Sequence, residues 1–454
     1  MSSYTTKEEI VETAEQLVGR TFGEIAKSLN VNIDNTRGSL GLFIEKNIFG
    51  IEQNSSPEPD FKKAGVELKV TPYRINKNGT LSAKERLVLN MINYNDEYKN
   101  TFENSHFWHK NKLIEIIWYL NIGNNKSNWP IKYQKLFTFS ENDKKIVIED
   151  WNKIIDKIKA GEAHNLSESD TLYLGACPKG RNSKDLVTQP FSNILAMRRA
   201  FCLKQSYMTG LVRQYIGGQK TEEIKFKYKR KKLTFEQKFE EQISKYKDKS
   251  VKDLCKIFNI KSGSKQTLSL LISKMVGLKT NIDNSDQFLK ANIKIKTIRV
   301  EENNTIREHM SFPAFKFKDI VNESWETSKL FKIFSTTKYL FAIFKKHSDG
   351  NYYFYGIKFW NMPADVLNKQ VKDVWKKTID VLKSGNIVKS VGKKRDTNFP
   401  HSSFNKICHV RPHGKDSNDT YPLPIKDKLT GFSSYSKQSF WLDRSYILSI
   451  IFNK

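Results

Sequence analysis

The feature that most constrains this chain is that it reads as one unit written twice. The segment from Asp150 to Gly161 (DWNKIIDKIKAG) is answered by the stretch from Asp373 to Gly385. Arg199-Ala-Phe-Cys-Leu-Lys-Gln-Ser-Tyr is answered by Gln438-Ser-Phe-Trp-Leu-Asp-Arg-Ser-Tyr. Cys177-Pro-Lys-Gly-Arg-Asn-Ser has a counterpart in Arg411-Pro-His-Gly-Lys-Asp-Ser, and Ser39-Leu-Gly-Leu-Phe-Ile-Glu-Lys in Thr267-Leu-Ser-Leu-Leu-Ile-Ser-Lys. The segments recur in the same order at an offset of about 230 residues, a period too long for a solenoid, so two tandem domains are expected. The expected organisation is residues 1–217 as a first domain, 218–239 as a basic linker with a cluster at Lys227 to Lys232, and 240–454 as a second copy.

Each copy reads as an α/β (α+β, mixed-sheet) fold. Residues 7–17 and 38–49 carry apolar side chains at helical spacing, Val66-Glu-Leu-Lys-Val70 alternates as a strand does, residues 113–120 read as a buried strand, and 146–159 as a helix. The order implies a mixed central sheet flanked by helices. Aromatic-rich stretches such as Tyr352 to Tyr355 and 340–344 read as core.

Charge narrows the partner. Lys and Arg total 77 against 49 Asp and Glu, a net charge of +28, which favours a polyanion because basic side chains displace the counterions condensed on phosphates. No apolar run is long enough to span a membrane, and the polar N-terminus resembles no targeting segment. The four cysteines, Cys177, Cys202, Cys255 and Cys408, form no C-x-x-C pair, so reduced thiols in a cytoplasm are expected.

Chemistry concentrates in Pro59-Asp60-x(6)-Glu67-Leu68-Lys69. Phosphodiester hydrolysis calls for a divalent cation, and Mg²⁺ takes a few carboxylates in octahedral geometry. Glu67 and Lys69, two apart on a strand, share a face. The turn at Lys63-Ala64-Gly65 lets Asp60 return toward Glu67, and Glu45 on the preceding helix offers a third acid. In the second copy Ser273 stands opposite Glu45, Lys294 opposite Glu67, Lys296 opposite Lys69, and Gln287 at the spacing of Asp60. The first copy is therefore expected to cut and the second to bind. Lys84 and Arg86, the loop Lys179, Arg181 and Lys184, Lys204 beyond it, and the second copy's Arg411, His413 and Lys415 are expected to contact DNA. His106 and His109, and Cys408-His409 with His413, lack a further ligand at useful spacing and are not read as metal sites.

With these residues in view, the chain resembles the MutH family of endonucleases, and within it type II restriction enzymes that cut GATC. The likeness rests on Gly41-Leu-Phe-Ile-Glu45, Asp60 with Ala64-Gly-Val-Glu67-Leu-Lys69-Val-Thr-Pro72, the run from Lys84 to Tyr94, Ser105-His-Phe-Trp-His-Lys110, Asp150-Trp151, Pro178-Lys179 and Arg199 to Lys204. It implies a restriction-endonuclease-like core, an acid triad of Glu45, Asp60 and Glu67 binding Mg²⁺ beside Lys69, a second catalytic lysine at Lys110 or Lys112, and recognition through Lys179. Where the mismatch-repair member has a tyrosine linked to sensing adenine methylation, this chain has Cys202, which implies indifference to that mark. The implied activity is double-strand cleavage at GATC leaving 5′-phosphate ends, in a bacterial cytoplasm, with self-association on DNA or a second DNA site bound by the second copy. A mismatch-repair-type nickase and a non-catalytic DNA-binding protein are the alternatives.

Overall fold

Side-chain caps open several helices of the first half in the computed structural model, which describes residues 4–452 except 35, 37, 53–55, 181–184, 227–232 and 393–395. The basic cluster at 227–232 thus lies outside the described residues, as do Arg181 and Lys184. Helix α1 (Lys7–Glu15) opens on a Thr6–Glu9 capping box, and α2 (Phe22–Leu29) on a Thr21–Glu24 box, closing at Asn30 with φ of 54°. Helix α3 (Ser39–Asn47) buries Leu40, Phe43 and Ile44.

Strands β1 (Glu67–Ile75), β2 (Leu81–Ala83) and β3 (Leu87–Met91) follow, then α4 (Tyr94–Glu97), α5 (His106–Asn111), β4 (Ile114–Leu120), β5 (Ile131–Phe137) and the long α6 (Glu141–Lys159). Next come β6 (Leu174–Pro178), β7 (Leu186–Gln189), β8 (Ser192–Met197), β9 (Arg199–Leu203) and α7 (Gln205–Tyr215). One sheet has the order β2-β1-β4-β5, with β1 parallel to β4 and the other pairs antiparallel; a second has the order β3-β9-β6. Leu68, Ile117 and Ile131 pack beneath α1 to α3 in one apolar cluster, which fixes the helix bearing Glu45 against the strand bearing Glu67.

The second half also begins with a run of helices and then alternates strands with short helices. It has α8 (Phe235–Ser244, again on a Thr–Gln capping box), α9 (Val251–Phe258, again closing on a left-handed Asn), α10 (Thr267–Met275) and α11 (Asp286–Ala291). Then come β10 (Ile293–Val300), β11 (Met310–Phe315), α12 (Phe317–Ile320), α13 (Lys329–Thr336), β12 (Lys338–Lys346) and β13 (Tyr352–Trp360). Helices α14 (Ala364–Val366) and α15 (Lys372–Ser384) precede β14 (Val388–Ser390), β15 (Asp396–Thr397) and β16 (Cys408–Pro412). Strands β17 (Thr420–Pro422), β18 (Ser434–Ser436) and β19 (Gln438–Leu442) lead into α16 (Arg444–Phe452). Its sheets run β10-β12-β13 and β11-β19-β16. Residues 340–344 are buried throughout, as the aromatic pattern implies, whereas in Tyr352 to Tyr355 only Phe354 is buried and Tyr355 is exposed, because this strand turns alternate side chains outward.

The chain separates into two compact units, residues 1–224 with 283–293, and 225–282 with 294–454. Helix α11, although it follows three helices of the second unit in sequence, packs in the first. There Lys290 is 3.0 Å from Asp143 and 2.9 Å from Asp286, and the Tyr207 hydroxyl donates to Asp143 at 2.9 Å.

Candidate active site

The local chain path brings Asp60 back to β1. Gly65 adopts φ of +66°, its amide donates to the Phe61 carbonyl at 2.8 Å, and Phe61 bridges Val66. The Asp60 amide donates to Glu67 Oε2 at 3.2 Å, and Asp60 Oδ2 accepts from the Leu68 amide at 3.0 Å. Leu68 points into the core while Glu67 and Lys69 share the other face, where Lys69 Nζ meets Glu67 Oε1 at 2.5 Å.

Helix α5 supplies the next cation. Ser105 caps it, and the buried Glu97 receives the Phe107 amide, the Trp151 indole and His106. His109 pairs with Glu58 at 2.9 Å, tying α5 to the loop that carries Asp60. Lys110 Nζ then lies 3.7 Å from Glu67 Oε2 and donates to the Ser56 carbonyl at 3.0 Å, whereas the Lys112 side chain is exposed. Both histidines thus serve as struts for this face.

Electrostatics tie Glu45 to the same place. Burial, and then the Asp60 charge, push its carboxyl upward, while Lys69 and Lys110 work against the shift. Glu67, only 1% exposed, is also pushed up by burial and by Asp60, opposed by the two lysines. Burial disfavours the Lys69 ammonium, yet Glu67, Asp60 and Glu45 more than offset it and hold its pKa above the usual value. The Asp60 charge raises both Glu45 and Glu67, and a divalent cation held there would relieve that repulsion. The all-oxygen donor set of Glu45, Asp60 and Glu67 fits hard Mg²⁺, with Lys69 and Lys110 alongside.

The DNA-contact candidates fall into distinct settings. Lys84 and Lys179 are exposed, Lys84 Nζ lying 5.4 Å from the Trp129 ring. Arg86 is ion-paired with Glu168. Lys204 departs from expectation: it is 2% exposed and its Nζ donates to the Thr171 carbonyl, so it braces the end of β9 and is withdrawn from the basic surface. Arg411, His413 and Lys415 are exposed in the second unit, with Arg411 and His413 beside the Trp441 ring at 5.5 and 5.7 Å.

Asp150 holds the start of β6 in place, accepting the Leu172, Tyr173 and Leu174 amides at 2.7, 2.6 and 3.0 Å. Burial nevertheless raises its pKa. Cys202 is fully buried on β9 beside Cys177. In the second unit, Ser273 occupies in α10 the position that Glu45 holds in α3, and its hydroxyl accepts from the Ile282 amide at 3.0 Å.

Sequence reasoning missed one cluster. His409 does not join Cys408 or His413 in a site; it meets His309 and Asp443, whose ligand atoms all lie within 4.8 Å of one another. These residues sit in three separate segments, and no spacing rule connects them.

A mixed α/β scaffold gathers three acids and two lysines at one end of β1, a donor set suited to metal-assisted phosphodiester chemistry. The profile described as DNA mismatch repair enzyme MutH matches residues 49–150, the span holding Asp60, Glu67, Lys69 and Lys110. Type II restriction enzyme Sau3AI of Staphylococcus aureus is 36% identical over 98% of this chain and 98% of its own length. DNA mismatch repair protein MutH of Escherichia coli (strain K12) is 27% identical, covering 47% of this chain and 95% of its own; that of Shigella boydii serotype 4 gives the same figures. The chain belongs to the MutH family of endonucleases, and it is a site-specific deoxyribonuclease.

Proposed function

We propose that the chain is a type II restriction endonuclease that uses Mg²⁺ to cut both strands of DNA at GATC, leaving 5′-phosphate and 3′-hydroxyl ends. The observation that carries this reading is the gathering of Glu45, Asp60 and Glu67 beside Lys69 and Lys110 on one face. Mg²⁺ held by the three carboxylates supplies polarisation of the phosphoryl oxygen and lowers the pKa of bound water. Lys69, kept charged by its acidic neighbours, orients the attacking water and offsets charge on the phosphate as it becomes pentacovalent. Lys110 adds a second positive charge on the same side of Glu67.

Target choice follows from the resemblance, with Lys179 at the end of β6 as the recognition residue. The thiol of Cys202 offers no aromatic ring for an adenine methyl group, so cleavage is proposed to be indifferent to N6-methylation. Digesting plasmid with methylated and unmethylated GATC sites, with and without Mg²⁺, and mapping the ends tests each part. A block by methylation removes the last claim; Mg²⁺-independent cutting removes the first.

The collinear recurring segments support a duplicated domain in which the first copy, residues 1–217, cuts and the second, 240–454, binds another DNA site or scaffolds self-association. With one acid set per chain, both strands of a palindrome are cut either by two chains meeting on DNA or by successive nicks.

A further inference from the structure

His309 immediately precedes β11, His409 lies within β16, and Asp443 follows β19, so the three-stranded sheet β11-β19-β16 gathers them at one end. The Asp443 carboxylate is held in a fixed orientation. Its Oδ1 accepts the Ser445 amide at 2.8 Å and the Ser445 hydroxyl at 2.7 Å, and the Ser402 hydroxyl donates to Oδ2. From there Oδ2 faces His309 Nδ1 at 3.5 Å and His409 Nδ1 at 3.6 Å. These separations are too long for hydrogen bonds. They match the edge of a tetrahedron, about 3.4 Å, set by bonds of about 2.1 Å to zinc.

A second observation points the same way. His409 is 1% exposed, and neither of its ring nitrogens has a hydrogen-bond partner. An imidazole carries a donor and an acceptor, and burying both unmatched is costly, so such a group needs a reason to be there. The pairing registers sharpen the point. Leu87 pairs with Leu203 as Met310 pairs with Leu442, and Leu174 pairs with Leu203 as Cys408 pairs with Leu442. By those registers, the first unit has Arg86, Gly175 and Lys204 where the second has His309, His409 and Asp443. Two cations and a glycine cannot ligate a metal; two imidazoles and a carboxylate can.

We propose that His309, His409 and Asp443 form a binding site for a divalent transition cation of the zinc class, separate from the acid set of the first unit. Imidazole donors select zinc, cobalt or nickel over Mg²⁺. Of the three residues, His309 also lines a cleft of about 620 Å³, together with Arg307, Glu308, Ser311, Arg411 and Trp441. In the metal-free geometry the Arg444 amide donates to His309 Nδ1 at 3.1 Å, and this is the contact the cation displaces. Bound there, it ties β11, β16 and the start of α16 together.

The test is titration of the full-length chain with Co²⁺ in saturating Mg²⁺, followed by its visible absorption and by displacement with Zn²⁺. One equivalent with the intense spectrum of tetrahedral cobalt is expected, unchanged in Glu67→Gln. Affinity should fall at least about a hundredfold in His309→Gln and Asp443→Asn. Zn²⁺ should raise the melting temperature of the wild type and not of His309→Gln, a partly exposed position where the metal-free variant is expected to melt with the metal-free wild type. Absence of cobalt uptake by the wild type, or uptake of undiminished affinity in both variants, overturns the site.

Discussion

At the scale of single residues, the acid set is the sharpest place to intervene. Glu67 is buried, receives the Asp60 amide and lies between two lysines, so Glu67→Ala should lower cleavage at least about a thousandfold while plasmid binding in a gel-shift assay persists. Retained cutting would sink the metal-site reading. Lys110 and Lys112 separate by the same logic. Lys110→Ala should cost about a hundredfold in rate and Lys112→Ala less than about twofold, since only Lys110 reaches Glu67. Away from the site, Glu115 on β4 has both carboxylate oxygens buried without partners, and burial, with the Glu15 charge adding, lifts its pKa from 4.5 to about 8. The folded chain then keeps a proton that the unfolded chain releases, so this residue lowers stability as pH rises from about 4.5 to about 8. Glu115→Gln should therefore leave stability unchanged near pH 4 and raise it over the wild type progressively toward pH 8, by about 5 kcal/mol at most, which melting curves taken across that range would show.

At the scale of elements, the site depends on how a turn and two helices are anchored. Gly65 holds a left-handed conformation with open space where a Cβ would go, so Gly65→Ala meets no clash and pays only backbone strain of about 1 kcal/mol. Because that turn sets where Asp60 meets Glu67, cleavage should fall by more than the small loss of stability would explain; comparing kcat with the melting curve checks this. Asp150 performs a similar duty for β6. The pattern around it was legible as a motif, but its three amide contacts were not, since they join α6 to residues more than twenty positions away. The helix and strand periods foretold α1, α3, β1, β4 and most of α6, because those depend on alternation within one element. Lys204 shows the opposite case: in sequence it continues a basic run, and only the end of β9 packing over Thr171 turns it inward.

At the scale of the whole molecule, the division of the chain differs from a simple cut between halves. Residues 283–293 belong to the first unit, and Lys290 there neutralises Asp143, both 7% exposed. A fragment ending near residue 224 loses that ion pair and the rest of α11, leaving the Asp143 carboxylate the Tyr207 hydroxyl, and should be less stable than the full chain. Its melting temperature should fall accordingly, and Asp143→Asn within the fragment should recover part of the difference. Weak cutting by such a fragment would therefore report lost stability as well as loss of the DNA binding proposed for residues 240–454.

What the sequence determined alone was whatever depends on neighbours along the chain: the spacing that sets Glu67 and Lys69 on one face, the glycine turn between them and Asp60, the excess of positive charge, and the recurrence of one pattern in two halves. Backbone geometry fixes these within a few residues, so they can be read without a fold. The tertiary structure alone decided which distant groups meet: Lys110 rather than Lys112 beside Glu67, Lys290 against Asp143, and two histidines with Asp443. Strand order and burial select those encounters, and neither is written in the spacing of the residues that take part.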